Sequence, residues 1–91
     1  MQYWEGVIYR CIESLGGKAY LQDIYEKLPD FIDLTERHLE ITKWGGRPAY
    51  HHIVRSYISN MCQAGLLHRI SRRHYKIIEY RINENYKLRE H

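Results

Sequence analysis

The side chains of this sequence best suited to binding chemistry are cations, and they crowd into its second half. Lys43, Arg47, Arg55, Arg69, Arg72, Arg73 and Lys76 all fall between residues 41 and 78, a stretch with no Asp or Glu. His51, His52, His68 and His74 lie in the same stretch. Arginine offers paired N–H donors that match phosphate oxygens or the guanine edge, whereas lysine offers a point charge. A long basic span without interleaved acids points to a surface for a polyanion, the plain alternative being a solvated basic face. The first forty residues have the opposite sign. They hold four basic and eight acidic residues, net −4, against ten and three in residues 41–91, net +7. The formal total of +3 hides this division.

Other chemistries find little to work with. The acid-free span supplies no general base, and no nucleophile, base and orienting acid suggest themselves. There is no glycine-rich phosphate loop ending in Lys-Ser or Lys-Thr. His51, His52, Cys62, His68 and His74 follow no zinc-ligand spacing, with Cys62 about three helical turns from His51. Cys11 and Cys62 are far apart and form no CxxC, so both are expected to be packing thiols in a reducing compartment. The expectation is a protein that is not an enzyme, with no cofactor, no metal and no small-molecule substrate. No run approaches the roughly 18 apolar residues of a membrane span, and the first ten residues lack a basic start followed by an apolar core. A cytoplasmic protein without a membrane partner is therefore expected.

These residues need elements to hold them. Trp4, Val7, Ile8, Cys11, Ile12 and Leu15 recur at spacings of three and four, which predicts a helix over residues 3–15 that Gly16 and Gly17 stop. Residues 18–20 read as a short extended lead-in. A second helix follows over residues 21–28, with Leu21, Ile24, Tyr25 and Leu28 on one side and Pro29 ending it. Thr35 can cap a short helical turn reaching Ile41. Residues 43–48 are rich in turn formers, and Trp44 among them is expected to pack.

The longest predicted helix covers residues 49–64. Ile53, Val54, Tyr57, Ile58 and Met61 form its apolar stripe, and Gly65 sits where a left-handed cap belongs. His51, His52, Arg55, Ser56, Ser59 and Asn60 are left on the polar side, without an acid. Residues 66–70 and 75–80 read as two strands around a turn at 71–74, an Arg-Arg pair being a weak signal for a tight hairpin. Residues 83–91 read as a polar tail beyond a domain of residues 1–82. The expected class is α+β: a winged helix-turn-helix of three to four helices with a small C-terminal antiparallel hairpin.

Particular segments strengthen this reading. LGGKAYLQDIYEKL (15–28), GRPAYHHIVRSYISNMCQAGLL (46–67) and YKI (75–77) resemble the N-terminal winged-helix domain of Mrr-type restriction endonucleases. The likeness spans most of residues 5–80. Its most specific part is the Gly-Arg-Pro turn, the Arg55-Ser56-Tyr57-Ile58 helix and the Ala64-Gly65-Leu66-Leu67 exit. The resemblance implies duplex DNA contact by the 49–64 helix and by the hairpin, the wing. The full-length enzymes continue into a nuclease domain; a stand-alone domain is expected here, and cleavage is not carried over.

The expected site residues follow. On the recognition helix, Arg55 is placed to reach base edges, beside His51, His52, Ser56, Ser59 and Asn60. Arg69, Arg72, Arg73, His74 and Lys76 form a basic wing for phosphate or the minor groove, and Lys43 and Arg47 precede the helix as phosphate contacts. The expected partner is double-stranded DNA. A rival expectation is a protein-interaction module, an inhibitor or assembly factor built on the same fold. The acidic and basic halves could also pair head to tail in a homodimer.

Overall fold

The computed structural model describes residues 2–43 and 45–78. Trp44, the end of the expected second strand at 79–80 and the expected tail at 83–91 lie outside the described residues.

Helix α1 (Tyr3–Ser14) buries Val7, Ile8, Cys11 and Ile12, the centre of its expected stripe. Glu5 accepts the Gln2 N–H at 3.1 Å, which satisfies one donor at the helix start. After α1, Gly16 and Gly17 have φ of 99° and 92°, a left-handed pair that side chains adopt only with strain. This reversal delivers the chain into strand β1 (Lys18–Tyr20). The lead-in predicted as merely extended is thus a full member of a sheet.

Helix α2 (Leu21–Lys27) buries Leu21, Ile24 and Tyr25. Pro29 does not stop the chain's winding. Instead the backbone tightens into a 3-10 turn, Leu28–Asp30, with the proline at its first positions, where its missing N–H leaves no bond unmade. Helix α3 (Glu36–Leu39) is one turn long and ends two residues short of Ile41. Thr35 Oγ1 accepts the His38 N–H at 3.3 Å, and His38 Nδ1 accepts the Thr35 N–H at 3.0 Å. The loop before the next helix is pinched shut by an Ile41–Pro48 bridge and by Thr42 N–H to the Arg47 carbonyl at 2.9 Å.

Helix α4 (Ala49–Gln63) buries Tyr50, His51, Val54, Ile58 and Met61. Ile53 and Tyr57, expected in the stripe, are only half-buried at its edge. Gly65, at φ 80°, turns the chain into β2 (Leu67–Ser71), and β3 (His74–Ile77) returns beside it. The turn is the two residues Arg72 and Arg73, tighter than the four-residue turn expected. β3 is central in an antiparallel sheet of order β1-β3-β2, with Ala19 opposite Tyr75 and Leu67 opposite Ile77. Among the described residues the architecture is α+β, four α-helices and a small three-stranded antiparallel sheet.

In the core Ile8, Ile12, Ile24, Leu28, Val54, Met61 and Leu67 are fully buried. The Cys11 thiol lies among them, donates to the Ile24 carbonyl at 3.8 Å and is pushed up to about 11 by burial. It stays a thiol at neutral pH and acts as packing. A core this small depends on each member. Ile12→Ala is expected to cost about 2–5 kcal/mol, read as a lower urea midpoint at unchanged slope.

Candidate functional site

Leu67 and Arg69 share one face of β2, opposite Ile77 and Tyr75. Leu67 is buried at the inner end, whereas Arg69 stands nearer the hairpin tip and reaches an open cleft. Tyr20, the residue before α2, sits opposite His74, and the Leu21 N–H donates to the Arg73 carbonyl at 2.8 Å. That bond ties the tip of the hairpin to the start of α2. Arg55 and Ser59 look across from one flank of α4, and Arg47 comes from the pinched loop.

The cleft so formed has a volume of ≈ 510 Å³. Among the described residues Arg47, Arg55, Arg69, Arg72 and Arg73 line it, and no Asp or Glu does. Among the described residues the one ion pair joins Lys27 to Asp30 at 3.2 Å, so none of the five guanidinium groups is neutralised by a carboxylate. Tyr25 lies at the floor. Burial pushes its phenol up, and Arg55, Arg47 and Arg73 offset only part of that rise, a mark of the positive field in the cleft. Five uncompensated cations around one concavity repel each other and attract an anion with several phosphate-like groups.

The remaining expected residues are distributed elsewhere. His52, Ser56 and Asn60 lie on the opposite flank of α4, around a second depression with Trp4, Ile53 and Tyr57. Trp4 and Tyr57 are parallel at 6.3 Å between ring centroids, and His52 Nε2 is 3.5 Å from Thr42 Oγ1. Lys43 is exposed in the loop before α4 and does not line the cleft. His74 and Lys76 stand on the outer face of the sheet, where the His74 ring stacks on Tyr20 at 4.0 Å.

His51 corrects the expectation that it lies on the polar side of the helix. It is 9% exposed, because its position beside Tyr50 and Val54 turns it toward the core. Its ring stacks on Tyr25 with centroids 3.6 Å apart and meets Tyr50 edge-on at 4.6 Å. Tyr50 Oη in turn donates to the Tyr25 carbonyl at 3.0 Å. His51 therefore supports the cleft floor from behind and does not present itself to a ligand. Sequence reasoning also missed Tyr25, Gln22 and Tyr75 at the cleft. All three sit in elements read only for their apolar periodicity, and nothing local marks them as neighbours of the arginines.

Comparison with known proteins finds no family model that matches the chain, no similar curated protein and no similar solved structure. Among the described residues no three His, Cys, Asp or Glu side chains group to hold a metal ion, and no helix is long and apolar enough to cross a membrane.

Two outcomes follow from this geometry. Burial above all, then Arg47 and His52, lowers the His51 pKa below its ordinary 6.5, and among the described residues its Nδ1 has no hydrogen-bond partner. The unfolded chain then binds a proton that the folded chain refuses. The resulting stability is whole above pH 6.5 and declines as pH falls from there toward the folded value. Urea unfolding between pH 7.5 and 5 is expected to show this loss, and His51→Gln to flatten it. Second, Arg73 has φ 60°, the one left-handed side-chain residue among the described residues. Such a backbone costs an arginine about 1 kcal/mol and a glycine nothing. Arg73→Gly is expected to raise stability by up to about 1 kcal/mol while weakening polyanion binding, as thermal unfolding and a heparin-column salt gradient will read separately.

Proposed function

We propose that this chain is a winged-helix module that binds double-stranded DNA and does no catalysis itself. The observation that carries the reading is the cleft of five arginines between α4 and the β2–β3 turn, none of them ion-paired among the described residues. A phosphate ridge of duplex DNA offers a row of anions that such a cleft can straddle, with α4 as the recognition helix and the hairpin as the wing. The element order and the β1-β3-β2 sheet support the fold assignment. The resemblance to the N-terminal domain of Mrr-type endonucleases agrees with it, and a cytoplasmic setting suits both.

Within this reading Arg47, Arg69, Arg72 and Arg73 supply phosphate contacts, and Arg55 and Ser59 stand nearest the bases. A second reading, a protein-interaction module, has an observation of its own: Leu39 and Ile41 are 51% and 62% exposed around the short α3. An acidic partner or a second copy could cover them.

Fluorescence anisotropy with random-sequence duplex decides between the two. Five neutralised phosphates give an affinity that falls roughly 500-fold between about 50 and 200 mM salt. The pair Arg72→Glu/Arg73→Glu is expected to abolish binding, and Arg55→Ala to weaken it about tenfold. A folded protein that ignores duplex at the lower salt, or binds it with no salt dependence, overturns the DNA reading in favour of a protein partner.

A further inference from the structure

The outer face of the sheet carries a second pattern, separate from the cleft. Across the three strands Lys18 stands opposite Lys76, and Lys76 opposite His68. Residues directly opposite in antiparallel strands point to the same side, so the row is Lys18–Lys76–His68, all exposed. Like charges opposed in this way destabilise a sheet, and neither lysine has an ion-pair partner among the described residues. Two residues along each strand, about 7 Å away, lies the row of Tyr20 and His74. Their rings are stacked at 4.0 Å and 12°, and Tyr20 is 54% exposed. The core needs none of these side chains, since the opposite face of the same strands supplies Ala19, Leu67 and Ile77.

We infer that this outer face binds a single-stranded nucleic acid, one base stacking on the Tyr20–His74 pair while the adjoining phosphates lie over Lys18 and Lys76. An exposed ring backed by a second ring is a platform for a base with a free face, and bases within a duplex have no such face to offer. The cationic row is complementary to the strand's backbone and is relieved of its own repulsion when phosphate arrives. His74 follows directly on Arg73 at the hairpin tip, so the platform begins where the cleft ends. The inference does not rest on the duplex reading, because it uses none of the cleft arginines.

The test titrates labelled mixed-sequence single strands of about 12 nucleotides, as DNA and as RNA, with duplex DNA in a parallel arm. The native chain is compared with Tyr20→Ala, Tyr20→Phe, Lys18→Gln/Lys76→Gln and Arg55→Ala, each checked for folding by thermal melting. Tyr20→Ala and the lysine pair are expected to lose about tenfold in single-strand affinity, Tyr20→Phe to keep it, and Arg55→Ala to lose less single-strand than duplex affinity. Duplex affinity is expected to be untouched by Tyr20→Ala. A preference between the DNA and RNA strands identifies which of the two the face reads. Absence of single-strand binding by the native chain overturns the proposal. So does a loss in the lysine pair with none in Tyr20→Ala, which leaves a generic polyanion surface. Failure in the duplex arm alone removes the reading of the cleft and not this one.

Discussion

The pairing of β1 with β3 is the interaction on which the rest of the molecule depends. β3 is bonded on both sides, to β1 and to β2, and the Leu21 N–H closes the same ladder onto Arg73. A two-stranded hairpin such as the one over residues 67–77 is marginal in water by itself. Held by β1, which continues directly into α2, it becomes a rigid projection with a set position relative to α4. Without that third strand Arg69, Arg72 and Arg73 would hang on a free arm, and no cleft with Arg47 and Arg55 would exist.

The helical layer holds the other side of the cleft by the same kind of economy. Tyr50 and His51 join the start of α4 to α2 through Tyr25, by the Tyr25–His51 stack and the Tyr50–Tyr25 hydrogen bond. Aromatic rings fill much of this joint, which suits a small domain because each covers a large area with few torsions to order. Polar atoms at their edges are the cost. The unpartnered His51 Nδ1 is the clearest instance, and neutral imidazole is what the site tolerates.

Charge is organised around that frame and not by it. Acidic residues dominate the first forty positions, yet none lines the cleft, and the arginines there are left to face solvent. Arg73 adds backbone strain to electrostatic repulsion. A glycine would fit the turn better, and the proposed binding role would account for an arginine there.

How much of this was legible in the sequence depends on the range of the interaction. The helices at 3–15, 21–28 and 49–64, the stop at Gly16–Gly17, the Thr35 cap and the basic acid-free span are local properties of spacing and residue type, and the sequence by itself determined them. Tertiary contacts decided the rest. Lys18–Tyr20 is too short to declare itself a strand, and its pairing energy comes from β3, some 55 residues away in the chain. His51 reads as polar and exposed until α2 supplies Tyr25 as its stacking partner. Six of the thirteen expected site residues converge on the cleft, while His52, Ser56 and Asn60 go to the far flank of α4 and His74 and Lys76 to the outer sheet face. A helix surface has two flanks and a strand two faces. Periodicity says which side chains leave the core, and only the packed neighbours say which of them meet.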